Sequence, residues 1–359
     1  MERVLIVNVG LKGLSLIELE EMQEELKGLV ETAGGEVVET IHQFRDQLKG
    51  ATLLGKGKLN ELKPIVSERK IDLVVFDNKL SPTQLRNIEE VLECRVIDRI
   101  QLILDIFARH ATTKEGKLQI ELAQLEYLLP RILGMGKEMS RLGGGIGTRG
   151  PGETQLEVSR RTIRQRIFLL KKQLTRIKKQ RETRRQRRMN ANTSIVSIIG
   201  YTNSGKTTLL KSLSKDEKIK PKDELFATLS PVSRKVYLGN NKQAVFNDTV
   251  GFIRKLPHNI IESFKATLEE ITFSDLIIHV IDCTESNWQE KMTAADVVLK
   301  SINAMDIPKI KVLNKIDLLT DEAIEFLRVS HPDYRLISSS KKRGLDELKS
   351  EILDFFEKK

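Results

Sequence analysis

At 359 residues, 40% of them apolar and 31% charged, the chain is long enough for two or three domains with cores of their own. Its two cysteines, Cys94 and Cys283, exclude a disulfide framework and suit a reducing compartment; no apolar run reaches the ~18 residues of a membrane span, and the opening MERVLIVNVGLKG has no signal-peptide core, so neither a leader nor stable membrane insertion is expected. The formal charge of +10 is unevenly placed: between Arg160 and Arg188 fourteen Lys or Arg face one acid, Glu182, a surplus of thirteen that leaves the rest of the chain at −3.

Strand-like runs at 3–9, 36–41, 72–77 and 94–98 alternate with helical stretches at 15–31, 58–69, 82–92 and 99–110. Ser81 followed by Pro82 is an N-cap and first-turn pair. Such alternation predicts a mostly parallel sheet covered by helices. One stretch here has a chemical reading: LLGKGKLNEL (53–62) places a Gly-Lys turn before a helix, where backbone N–H groups bind phosphate. It is not a full P-loop, and an ordinary glycine turn explains it as well.

Leu118, Leu122, Leu125, Leu129 and Ile132 are spaced 4, 3, 4, 3, and Ile163, Ile167, Leu170, Leu174 and Ile177 make a second seam. Two seams with one connection predict an antiparallel helical hairpin. Pro130 is expected to end or kink the first helix, and the second is expected to run from near Pro151 to Met189, leaving a long connection at 134–152. That connection contains GGGIGTRGPG; connections this long are functional or disordered, and glycine lets a backbone approach a partner closely. The basic surplus lies in the second helix. Thirteen uncompensated charges repel one another, so a polyanion is expected as partner. A helix lying on a membrane needs aromatic residues on its apolar face; the segment has one, Phe168, which favours nucleic acid. The candidate phosphate contacts are Arg141 and Arg149 near the glycines, with Arg160, Arg161, Arg164, Arg184, Arg185, Arg187 and Arg188 along the helix.

SIVSIIGYTNSGKTTLL (194–210) is a buried-strand pattern, then G-x-x-x-x-G-K-T, then a helix, the context of a phosphate-binding P-loop. Gly200 and Gly205 would let the chain wrap the phosphates, with Asn203, Ser204 and Thr208 beside them. Lys206 would reach the β- and γ-phosphates, and the Thr207 hydroxyl would ligate Mg²⁺. Asp248 in NDTVGF (247–252) would hold that ion through water, and the Gly251 N–H would sense the γ-phosphate. Thr228 in FATLSP is the candidate mobile threonine that closes on Mg²⁺ and γ-phosphate. Asn314, Lys315 and Asp317 form N-K-x-D after a strand. The Asp317 carboxylate would accept from guanine N1–H and its exocyclic amine, donors that adenine lacks on that edge. Lys315 would lie along the base, Asn314 would brace the loop, and in Ser338, Ser339 and Ser340 a backbone N–H, assigned to Ser339, would meet guanine O6. The set predicts GTP as ligand, with Lys206, Thr228 and Gly251 nearest the reacting phosphate. Many GTPases have a water-orienting Gln after D-x-x-G; here it is Phe252, so slow intrinsic hydrolysis is expected. Asn203 resembles the asparagine of potassium-stimulated GTPases; a capping side chain is the competing reading.

The stretch GGGIGTRGPGETQLE, together with FATLSP and DTVGFI, resembles the signatures of the HflX family of ribosome-associated GTPases, and the resemblance covers nearly the whole chain. It implies an α/β chain of three parts: an N-terminal α/β domain (1–112), a long antiparallel hairpin with glycine-rich tip and basic helix (113–192), and a Ras-like P-loop G domain of mostly parallel sheet with helices on both faces (193–359). It implies binding of GTP and GDP, of the large ribosomal subunit and of 70S ribosomes through rRNA, and splitting or rescue of stalled or hibernating ribosomes with hydrolysis stimulated by the ribosome. It also raises ATP binding by the N-terminal domain, for which 53–62 is the one candidate. We expect Mg²⁺, with K⁺ as a second ion, a monomer, and a cytoplasmic protein with peripheral membrane contact left open. A GTP-switched rRNA-binding assembly factor and an ATP-dependent RNA remodeller are the rival readings.

Overall fold

The strand β1 (Glu2–Leu11) is buried without alternation from Val4 to Gly10, the mark of a strand covered on both faces. It lies between β2 (Gly35–Arg45) and β3 (Leu73–Phe76), with β4 (Arg95–Asp98) beyond β3. Every pairing in this four-stranded sheet is parallel. The computed structural model describes residues 1–13, 15–48, 50–142, 151–189, 194–216, 225–226, 232–253 and 270–358; the side chains of 132–142, 151–157, 159 and 181–189 fall outside the description. The crossovers are α1 (Leu16–Thr32), α2 (Lys56–Glu68) and α3 (Pro82–Leu92), followed by α4 (Arg99–His110). Ser81 caps α3 with Pro82 in its first turn, and Gln84 bonds back to the cap; Ser15 and Glu18 form the same reciprocal pair on α1, each pair satisfying two otherwise orphaned N–H groups. Leu5, Val7 and Val9 pack on one face with Leu59, Leu62, Ile88 and Leu92.

Beyond α4 run α5 (Lys114–Leu142) and α6 (Pro151–Met189). Here the structure departs from the expected boundaries. α5 passes through Pro130 without ending, so the connection shortens from 134–152 to 143–150. A proline removes one i→i−4 bond, and tertiary bonds hold the same turn: the Tyr127 hydroxyl donates to Asp98 Oδ2, and Arg131 reaches Asp98 Oδ2 at 2.9 Å and Gln101 Oε1 at 2.8 Å. Leu118, Leu122 and Leu170 are buried, and Leu125, Leu129, Ile163, Ile167, Leu174 and Ile177 half-buried. Arg166 forks onto Glu121 at 2.6 and 2.9 Å, and Lys171 meets Glu126 at 2.7 Å. A parallel arrangement through these pairs would separate Leu142 from Pro151 by roughly 54 Å along the axis, beyond the ~32 Å that nine extended residues reach. The helices therefore run antiparallel.

The chain divides into two compact units, 1–109 with 117–174, and 110–116 with 175–359. In the second, β5 (Ser194–Gly200), β6 (Val232–Gly239), β7 (Lys242–Asp248), β8 (Leu276–Asp282), β9 (Lys309–Asn314) and β10 (Tyr334–Leu336) form one sheet in the order β10-β9-β8-β5-β7-β6. Only β6 pairs antiparallel. Val196, Ile198, Ile278 and Val280 pack on one face against Leu209 and Leu213 of α7 (Lys206–Ser214) and Leu348 and Ile352 of α10 (Leu345–Lys358). Ile199 and Ile277 pack on the other face against Ala295 and Leu299 of α8 (Trp288–Ser301). A further helix is α9 (Asp321–Ser330). Helices on both faces leave the carboxyl edge of the parallel strands as the place where loops gather, the usual ligand crevice of such sheets.

Candidate nucleotide site and basic helix

At that edge β5 turns into α7 through GYTNSGKT, and three residues of the turn have positive φ: Gly200 at 151°, Asn203 at 59° and Gly205 at 93°. A Cβ on Gly200 would stand 2.1 Å from the Val280 carbonyl oxygen, and one on Gly205 2.2 Å from Asn314 Nδ2, so both positions exclude any side chain. The turn folds around Lys206, which is 6% exposed and donates to the Tyr201 carbonyl at 2.5 Å. Burial pulls its ammonium down to about 8, with Asp248 opposing the shift. The Thr207 hydroxyl donates to Asp248 Oδ2 at 2.6 Å, which brings together the two oxygen donors expected to serve one hard cation. Ser204 is buried, and Thr208 half-buried, in the same turn. Asn203 is exposed, with no side-chain hydrogen bond among the described residues, and the N-cap of α7 is Gly205; the capping reading of Asn203 is not what the structure has.

Gly251 packs directly on the P-loop, where its Cβ would lie 2.8 Å from Thr202 Cα. Two backbone bonds join the segments: Thr202 N–H to the Phe252 carbonyl at 2.8 Å, and Phe252 N–H to the Gly200 carbonyl at 3.0 Å. The Phe252 ring is turned into the core with Tyr201, Ile271, Ala295 and Leu299. It presents no polar group to the phosphate side, in line with its chemistry. The Tyr201–Phe252 bridge has no signal in the sequence, because it is made by main-chain atoms. Thr228 lies outside the described residues.

On the opposite side, Asn314 joins two loops. Its Nδ2 donates to the Ser204 carbonyl at 2.8 Å, and its Oδ1 accepts from Ser339 N–H at 2.9 Å. The expected role of Asn314 as a brace thus has a geometry, and the expectation for Ser339 needs correcting: its N–H is spent on Asn314. Ser340 N–H, one residue on, makes no hydrogen bond among the described residues. The Ser338 and Ser340 hydroxyls hold the Asp317 carboxyl below its ordinary range; Ser340 Oγ donates to Asp317 Oδ2 at 3.2 Å. Lys315, at φ 71°, pairs with Asp282 at 2.7 Å, a partner at the end of β8 that sequence reading did not single out.

In the N-terminal unit, Gly55 N–H is taken by Gln43 Oε1 at 2.9 Å, and Lys58 pairs with Glu61, so the 53–62 turn directs its first amide inward. Along α6, Arg161 and Arg164 are exposed and Arg160 half-buried. Arg149 and the side chains of Arg141, Arg184, Arg185, Arg187 and Arg188 lie outside the described residues. No helix of the described residues is long and apolar enough to cross a membrane.

Comparison with known proteins gives this arrangement a family. Three family models match in succession: one described as GTP-binding GTPase N-terminal over residues 20–108, one as GTP-binding GTPase middle region over 110–188, and one as 50S ribosome-binding GTPase over 195–315. The GTPase HflX of Caldanaerobacter subterraneus is 47% identical over 97% of this chain and 79% of its own length. That of Escherichia coli is 45% identical over 85% of this chain and 71% of its own. A crystal structure of a GTP-binding protein from Sulfolobus solfataricus in complex with GDP aligns over 100% of this chain and 99% of its own, at 28% identity and a TM-score of 0.52. With its P-loop, its N-K-x-D corner and its paired long helices, the chain belongs to the HflX family and is a GTP-hydrolysing enzyme.

Proposed function

We propose that this GTPase binds the large ribosomal subunit and 70S ribosomes, splits or rescues stalled or hibernating ones, and is stimulated in hydrolysis by the ribosome. The observation that carries the reading is the basic surplus of residues 160–188 in α6, outside which the chain nets −3, joined to a domain whose family model is described as 50S ribosome-binding. Lys206 neutralises the β- and γ-phosphates, Gly251 N–H and Thr228 close on the γ-phosphate, and Asp317 and Ser340 N–H read guanine, with Lys315 along its face. Thr207, Asp248 and Thr228 hold Mg²⁺, which supplies charge neutralisation to the phosphates when bound. Asn203 serves a potassium ion. Phe252 offers no group to orient water, so the missing group is supplied by the ribosome. The α6 arginines grip rRNA phosphates, while the 143–150 connection enters the particle. The protein acts as a cytoplasmic monomer.

Sedimentation of 70S ribosomes with the protein plus GTP, a non-hydrolysable analogue or ATP tests this. Subunit separation with GTP or the analogue supports it. Binding without separation supports the assembly-factor reading, and separation with ATP alone the remodeller.

A further inference from the structure

One face of α6 is not explained by the hairpin seam. At 100° per residue, Ile163, Ile167, Leu170, Leu174 and Ile177 share one arc, flanked by Arg166 and Lys171, whose charges are met by Glu121 and Glu126. The opposite arc carries Arg161, Arg164, Phe168, Leu169 and Lys172. Phe168 is 68% exposed and Leu169 49%, an apolar step in the middle of the most basic segment of the chain. Arg161, Arg164 and Lys172 are exposed, with no ion pair among the described residues.

An exposed ring flanked by uncompensated cations at one-turn spacing is the chemistry that receives a nucleobase: the ring stacks on its face while cations meet the adjoining phosphates. A duplex interior offers no free base face, so the ligand is an unpaired nucleotide. A membrane surface fits less well, because a helix lying in it needs a broad apolar face, and among the described side chains of α6 the other apolar residues are spent on the seam except Val158, exposed ten residues before Phe168. We propose that Phe168 is a stacking platform for an unpaired base of ribosomal RNA, with Leu169 beside it and Arg161, Arg164 and Lys172 on the flanking phosphates. This rests on the ribosome-binding reading and adds a base contact to it.

The test uses the full chain and its Phe168→Ala, Phe168→Leu and Phe168→Trp variants. The probes are a single-stranded oligouridylate, an RNA duplex of equal phosphate count, large ribosomal subunits, and phosphatidylglycerol vesicles. Phe168→Ala should bind the single strand and the subunit about 5- to 150-fold more weakly, with duplex affinity and intrinsic GTP turnover unchanged. Phe168→Leu should not restore binding. Phe168→Trp should, with its added indole emission quenched on the single strand. Equal single-strand affinity in Phe168→Ala, or full rescue by Phe168→Leu, overturns the stacking assignment; loss confined to vesicles assigns the face to a membrane instead. If the parent does not bind large subunits but the single-strand effect of Phe168→Ala persists, the ribosome reading fails and the stacking platform stands.

Discussion

Asn314 does two jobs with one amide, holding the P-loop at Ser204 and the guanine-side loop at Ser339. It comes that close because Gly205 has no side chain. Gly205→Ala adds a methyl 2.2 Å from Asn314 Nδ2 at a φ of 93°, so Asn314 must withdraw and both loops lose their tie. GTP and GDP affinity should both fall at least tenfold in a titration with fluorescent nucleotides, and wild-type affinity would show that Asn314 is not the brace. For Asp317→Asn, exchange of the carboxylate for an amide removes charged hydrogen bonds to guanine, so GTP affinity should drop on the order of a hundredfold. The amide suits the 2-oxo group of xanthine, and xanthosine triphosphate binding should appear; equal GTP affinity in the variant would remove Asp317 from base reading. Replacing potassium by sodium should lower turnover, and Asn203→Ala should abolish that difference.

At the scale of elements, α5 is tied to the N-terminal sheet through Asp98. Fully buried, its carboxylate accepts from Leu80 N–H, Gln101 N–H, Tyr127 and Arg131. Asp98→Ala leaves these donors and the Arg131 charge without a partner, and should cost about 3–5 kcal/mol in the denaturant transition of that unit; an unchanged midpoint would show that the helix docks by apolar contact alone. The basic stretch of α6 behaves differently, because its charges act on a partner. Each phosphate neutralised contributes about −0.9 to the log–log salt slope on duplex DNA, and rRNA should follow in sign. Changing Arg184, Arg185, Arg187 and Arg188 to Gln together should flatten the slope of large-subunit binding, whereas wild-type binding indifferent to salt would exclude the phosphate grip.

For the whole molecule, catalysis and ribosome engagement should be separable. Exchanging 143–150 for a short Gly-Ser turn leaves the α5–α6 ion pairs and the P-loop unit in place. The protein should keep GTP binding and intrinsic turnover and lose ribosome-stimulated turnover and splitting, read by phosphate release and sedimentation on the same preparation. Stimulation equal to the parent's would reduce the connection to a linker. The motifs that support this division were legible in the residues themselves. A P-loop, D-x-x-G and N-K-x-D carry their chemistry within a few positions, where glycine geometry and carboxylate chemistry act locally, and the heptads and the basic surplus likewise depend only on spacing and composition. Tertiary structure alone decided which serine amide remains open, since Ser339 is consumed by an asparagine 25 residues away. It also decided that Phe252 turns into the core beside Tyr201 and that α5 continues through Pro130 because Asp98 holds the turn. Each of those outcomes depends on a partner distant in sequence or on main-chain atoms, which no local pattern of side chains encodes.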